Sequence, residues 1–158
     1  MLVDRTRDSS FWKDVGSIDS YYEASMDLVS INPIFSLYGE RWPVRTLQRP
    51  LPPAKCIFDG KISDSIICDG CIISGGNVLH SILSPGVVVE KHALVEQSVI
   101  FADVIIDPGA RVRRAIIDKE SRIGAGASIG YDRERDVGRG FTLSDSGIVI
   151  VPKGSDVN

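Results

Sequence analysis

Aromatic side chains are scarce in this 158-residue chain, at 7% of the sequence, and histidine occurs only twice. No apolar run approaches the 18 or so residues that a membrane span needs. Met1 to Ser10 is rich in Asp and Arg where a secretory signal would turn apolar. A soluble, cytoplasmic protein is therefore expected. Cysteine is confined to Cys56, Cys68 and Cys71, an odd number that argues against a disulfide framework. Cys68 and Cys71 form a CxxC, a spacing that can open a zinc site or a redox pair. No second CxxC follows, and the nearest histidine, His80, lies in an apolar stretch. Small buried residues are the expectation there. A net charge of −3 excludes non-specific nucleic-acid binding as a leading role.

What is present is a repeat. Four segments begin with a small residue and two aliphatics: Ser65-Ile66-Ile67, Ser81-Ile82-Leu83, Ser98-Val99-Ile100 and Ala115-Ile116-Ile117. Their starts lie 16, 17 and 17 residues apart. A six-residue beat runs through them and aligns three expected ladders: Ile67/Leu83/Ile100/Ile117, Ile73/Val89/Ile106/Ile123 and Leu79/Val95/Val112/Ile129. Two places before these positions the residues are mostly small, with Asn77 the awkward exception. A period of six is neither the 3.6 of a helix nor the 2 of an amphipathic strand. It is the hexapeptide beat of a parallel β-helix, in which three short strands make one triangular coil and each coil buries its neighbour's apolar edge.

The spacing predicts a mainly β protein, a left-handed parallel β-helix of about four to five coils. Gly70, Gly86, Asp107-Pro108-Gly109, Gly124 and Gly126 are available for corners. Asp59-Gly60 and Ile62 belong to a less regular first coil. A β-sandwich would instead show antiparallel alternation with turns every 8–12 residues.

The flanks differ. Ser17 is placed to cap a helix over about 18–30, with Ile18, Tyr21, Tyr22, Met26, Leu28 and Val29 as its apolar stripe. Asn32-Pro33 ends it, and Trp42-Pro43 through Pro53 reads as an extended linker. Residues 1–50 thus form a helix-and-linker region and 51–158 the β-helix. An aromatic segment from Phe11 to Trp42 needs a surface to pack on, either the β-helix or a domain outside this chain. Beyond Ile129, Asp132–Gly140 reads as a charged loop, and Gly147–Pro152 as a last strand that caps the solenoid's open end.

Phe11-Trp12-Lys13-Asp14-Val15-Gly16-Ser17 and Tyr21-Tyr22-Glu23-Ala24-Ser25-Met26-Asp27-Leu28 resemble the stretch that ends the catalytic domain of bacterial ADP-glucose pyrophosphorylase (glucose-1-phosphate adenylyltransferase). Trp42-Pro43-Val44-Arg45-Thr46 and Leu51-Pro52-Pro53-Ala54-Lys55 are similar to its linker. Ile116-Ile117-Asp118-Lys119 and the closing Gly147-Ile148-Val149-Ile150-Val151-Pro152-Lys153 are similar to its left-handed β-helix. The resemblance covers the C-terminal portion of that family. The family makes ADP-glucose and pyrophosphate from ATP and glucose 1-phosphate with Mg²⁺, for glycogen or starch synthesis, and is tetrameric. Nothing in residues 1–10 resembles its glycine-rich phosphate loop. The resemblance therefore implies a regulatory and oligomerisation module, inactive alone, whose partner is a nucleotidyltransferase domain or subunit.

By the same resemblance, Asp14 matches a metal-binding aspartate, and Lys119 a residue that binds phosphorylated effectors. Arg113, Arg114 and, in the linker, Arg45 are candidates for the same effector pocket. The charge map agrees: between Arg111 and Arg139, eight basic residues face five acids, on an otherwise acidic chain. Two other functions stay open. One is a hexapeptide acyltransferase using His80 or His92 as general base; the other is a non-catalytic modulator of a partner.

Overall fold

The computed structural model describes residues 12–38 and 49–158. Helix α1 (Ile18–Leu28) comes first, and Ser17 caps it as expected: its hydroxyl accepts from Ser20 N while Ser20 Oγ accepts from Ser17 N. The helix stops at Leu28, short of residue 30, because Val29 is already its C-cap. Phe11 and the linker residues Trp42, Pro43 and Arg45 lie outside the described residues.

Three strands then recur per turn. The first turn holds β1 (Lys55–Ile57), β2 (Lys61–Ser63) and β3 (Ile66–Ile67), and the second β4 (Ile72–Ser74), β5 (Asn77–Leu79) and β6 (Ile82–Leu83). The third holds β7 (Val88–Val89), β8 (Leu94–Glu96) and β9 (Val99–Ile100), and the fourth β10 (Ile105–Ile106), β11 (Arg111–Arg113) and β12 (Ala115–Ile117). β13 (Arg122–Ile123) and β14 (Ser128–Ile129) begin another. Helix α2 (Arg133–Gly138) and β15 (Thr142–Leu143) interrupt it before β16 (Val149–Val151) and β17 (Asp156–Val157).

Every third strand stacks in parallel, giving three faces: β1-β4-β7-β10-β13-β17, β2-β5-β8-β11-β14 and β3-β6-β9-β12-β16. Only β15 on β16 is antiparallel among the described pairs, so the sandwich is excluded. This is the left-handed parallel β-helix of hexapeptide repeats.

Two ladders are in the expected register: Ile67↔Leu83↔Ile100↔Ile117 and Ile73↔Val89↔Ile106↔Ile123. The first extends to Val151, and the second to Cys56 and Val157. The third corrects the sequence reading. Val78, not Leu79, pairs with Val95 and is fully buried, whereas Leu79 pairs with Glu96 and is half-buried. The physical reason is the corner Ser74-Gly75-Gly76, which turns in one residue fewer. Gly76 now holds the position two before the rung, where a Cβ would sit 2.6 Å from Val89 Cγ1. Asn77 was awkward because it does not belong there.

The small column is a hydrogen-bond device as well as a packing one. Ser81 N donates to Ser65 Oγ, Ser98 N to Ser81 Oγ and Ala115 N to Ser98 Oγ, at 3.1–3.2 Å. Each serine hydroxyl in turn donates to a carbonyl of its own turn. These corner amides would otherwise be buried without partners. Ser98→Ala is therefore expected to lower stability by about 1–3 kcal/mol, the cost of orphaning the buried Ala115 N–H. A urea midpoint equal to wild type would show that the ladder contributes nothing.

The charged segment after Ile129 is also corrected: it is not all loop. Asp132 caps α2 by accepting from Arg135 N, and Glu134 and Asp136 lie in the first turn, where carboxylates meet the helix dipole favourably. The excursion returns Phe141 to the core. β16 then joins β12 as a further parallel rung rather than lying across the end, and β15 covers its free edge.

Helix α1 lies along the β-helix, so Tyr21 and Tyr22 have their surface within this chain, whereas Trp12 and Tyr38 are exposed. Tyr22 is buried with Val99, Ile116 and Ile148, and Tyr21, Met26, Ile82 and Phe101 pack around them. Tyr22 Oη donates to Gln97 O at 2.6 Å.

Candidate functional site

The fourth turn and the corner after it carry most of the candidate cations, and their placement follows from strand alternation. On β11, Val112 is buried and Arg111 and Arg113 are exposed on the outer side. The chain turns at Arg114, whose φ is 47°. It runs through β12, buried at all three residues, and turns again at 118–121. Arg113 thus stands on the β11 side of the turn, Arg114 at the corner between β11 and β12, and Lys119 at the corner after β12.

Each has distinct surroundings. The Arg113 guanidinium lies 4.4 Å from the centre of the Tyr131 ring. Arg114 donates to Ser146 O at 3.2 Å. Ser146 Oγ in turn donates to Asp19 Oδ1 at 2.6 Å, which ties α1 to the loop before β16. Hydrogen bonds from the Ser144 and Ser146 hydroxyls hold the Asp19 carboxyl below its ordinary range. Arg114 therefore sits within the clamp that docks α1.

Lys119 stands at the far end of β12. Its N–H donates to Asp118 Oδ1 and its carbonyl accepts from Gly154 N at 3.0 Å. That second bond stacks the corner of Lys153 directly on the corner of Lys119. Lys153 Nζ lies 3.2 Å from Glu120, while the Lys119 ammonium has no ion pair among the described residues. Lys153 was not singled out from sequence. The signal was there: carrying the Ile117 ladder across the interruption to Val151 would have placed it. Nearby Arg122 is held bidentately by Asp107, at 2.7 and 3.1 Å.

Asp14 sits before α1, and its Oδ1 accepts from Gly16 N at 3.0 Å. Among the described residues no group of three or more metal-ligating side chains gathers. Mg²⁺ needs one or two carboxylates together with phosphate or water oxygens. Asp14 by itself does not make that site.

The other candidates are structural in their contacts. His80 and His92 are corner residues with φ of 47° and 62°, and their N–H groups donate to Ser63 O and Gly75 O. Neither imidazole makes a side-chain hydrogen bond among the described residues, so neither has the orienting partner a general base uses. Cys71 is fully buried and its Sγ donates to Ser84 O at 3.1 Å. Burial pushes the Cys68 and Cys71 thiols up, away from the thiolate that metal or redox chemistry needs.

Comparison with known proteins agrees with this architecture. The model of the GlmU-like, C-terminal hexapeptide family matches residues 52–151, well over half of the chain. The chain belongs to that family. Curated glucose-1-phosphate adenylyltransferases are also similar. That of Anaeromyxobacter sp. (strain Fw109-5) is 47% identical over 93% of this chain and 37% of the relative. That of Corynebacterium jeikeium (strain K411) is 49% identical over 93% and 36%, and that of Rhodopirellula baltica 44% over 95% and 35%. The chain spans little more than a third of these relatives, matching their C-terminal portion. Within this hexapeptide protein the matched region 52–151 includes the Lys119 corner and stops just short of Lys153. No helix among the described residues is long and apolar enough to cross a membrane.

Proposed function

We propose that this chain is the regulatory and oligomerisation β-helix part of a glucose-1-phosphate adenylyltransferase, the class of enzyme that makes ADP-glucose and pyrophosphate from ATP and glucose 1-phosphate. Identities of 44–49% over nearly the whole chain carry this reading. Its partner is a nucleotidyltransferase domain or subunit, and its working form is a cytoplasmic homo- or hetero-oligomer built through the β-helix.

Lys119 is the anchor of a site for a phosphorylated metabolite, and Lys153 is the second cation. The stacking of their two corners supports this. Of the other sequence candidates, Arg113 and Arg114 stand apart from this corner, at Tyr131 and at Ser146, and Arg45 of the linker is proposed as a further contributor of positive charge. Asp14 contributes one carboxylate to Mg²⁺ only where a nucleotide pocket stands opposite it. The acyltransferase alternative draws no support from the two corner histidines.

The purified chain, supplied with ATP, glucose 1-phosphate and Mg²⁺, is expected to form no ADP-glucose. Mixed with a separately expressed nucleotidyltransferase domain, it is expected to restore activity that responds to phosphorylated metabolites. Lys119→Ala should weaken that response about tenfold, as loss of one charge-assisted contact implies. ADP-glucose formation by the chain alone would overturn the non-catalytic assignment. A mixture that never responds to phosphate esters would overturn the regulatory one.

A further inference from the structure

Arg111 and Arg113 form a pair that neither the fold nor the Lys119 corner uses. Both project from the outer side of β11, and their guanidinium carbons lie 4.2 and 4.4 Å from the centre of one ring, that of Tyr131. Neither has an ion pair among the described residues. The acid in register with Arg113 is Glu96, and it is occupied otherwise: Tyr131 Oη donates to Glu96 Oε2 at 2.9 Å. That bond fixes the ring, and two like charges share it, each within 4.4 Å of its centre, on exposed residues. The electron-rich ring offsets part of their repulsion. It leaves most of their N–H donors uncommitted, since each guanidinium carries five.

We propose that Arg111, Arg113 and Tyr131 form a second anion site, for a single phosphate group borne by a monoester or present as free inorganic phosphate. The chemistry selects that group. One carboxylate has two oxygens and fills one guanidinium fork, whereas two forks together call for three or four oxygens on one centre. A tetrahedral oxyanion supplies them. The Glu96 carboxylate beside the ring limits the ligand to one phosphate, because a longer polyanion would meet its charge. The site is separate from the Lys119 corner: the turn at Arg114 and the whole of β12 lie between them. It stands or falls independently of the effector reading above.

The test titrates the full chain with inorganic phosphate, with methyl phosphate and with acetate, following the arginine Nε–H resonances by NMR and the heat by calorimetry. Arg111 and Arg113 signals are expected to shift with both phosphates and not with acetate. A larger response to methyl phosphate assigns a metabolite monoester; an equal or larger response to inorganic phosphate assigns the free ion. The double variant R111K/R113K keeps both charges and removes both forks, so affinity at these signals' site should fall at least about tenfold. Its melting curve checks the fold, and the single variant R113K serves if the double one melts early. Lys119→Ala should leave the Arg111 and Arg113 shifts unchanged. The proposal is overturned if those signals stay still while phosphate moves others, if acetate acts equally, if lysine replacement leaves affinity intact, or if Lys119→Ala abolishes the shifts.

Discussion

Replacing Gly130 by Ala is expected to destabilise the protein by roughly 4 kcal/mol, while Gly126→Ala costs only about 1 kcal/mol. Both glycines have left-handed backbones, with φ of 79° and 70°, so the strain of placing an L side chain there is common to both. The difference is space. A Cβ on Gly126 meets nothing within 4 Å, whereas one on Gly130 would lie 1.8 Å from the Arg113 carbonyl oxygen. Backbone must move, and Gly130 N also donates to Asp136 Oδ2 at 2.8 Å. Asp136 is buried, and among the described residues its Oδ1 has no hydrogen bond, with Arg139 at 3.7 Å.

Burial already raises the Asp136 carboxyl above its ordinary value. A raised folded-state value means that ionisation penalises the folded form, so stability is lost as pH rises through it. Losing the Gly130 donor raises it further. The Gly130→Ala deficit should therefore be larger at neutral pH than in acid below the ordinary carboxylate value. Urea titrations of both variants at the two pH values check this. Equal losses for Gly130 and Gly126 would refute the steric account.

The repeat was legible because its signal is redundant: two of the three ladders name the same turns, and the small column repeats them. Where the signal has two solutions, the sequence alone favours the wrong one. Val78 and Leu79 are both aliphatic, and a strict beat of six chooses Leu79. Only the Gly75-Gly76 pair marks the shorter corner, and its meaning depends on Val89 in the next turn. Helix α2 was hidden for a different reason. Six residues carry no periodic pattern, and its anchor is the single buried Asp136, which reads from sequence as one charge among many.

The candidate site shows the same division. Lys119 could be picked out by resemblance, but its neighbour Lys153 lies 34 residues on and becomes adjacent only through stacking, by the bond from Gly154 N to Lys119 O. Arg113 and Arg114 are consecutive, which suggests one pocket. A strand followed by a left-handed corner sends them instead to Tyr131 and to the α1 clamp. Tyr131 itself follows the last regular beat, and nothing in its local sequence couples it to Glu96, 35 residues earlier.

Ile106→Ala should cost about 2–5 kcal/mol, against less than about 1 kcal/mol for Ile62→Ala. Both are rungs, but a solenoid is close to one-dimensional: each turn is held by its two neighbours. Ile106 is fully buried between Val89 and Ile123 in its ladder, so truncation opens a cavity that packed turns on both sides cannot close. Ile62 lies in the first turn, is 41% exposed, and among the described residues has a ladder partner on one side only, Val78. Loss there frays an end that is already open. A chain of this size loses about 2–4 °C of Tm per kcal/mol, so melting separates the two variants by several degrees. Hydrogen exchange locates the damage: it should rise around β7, β10 and β13 for Ile106→Ala and be confined to the first turn for Ile62→Ala. Because Arg111, Arg113 and Lys119 hang on the turn that Ile106 anchors, Ile106→Ala should also weaken both proposed anion sites together. Equal losses of stability from the two variants would mean that the solenoid melts as one block and that the nearest-neighbour account of its stability is wrong.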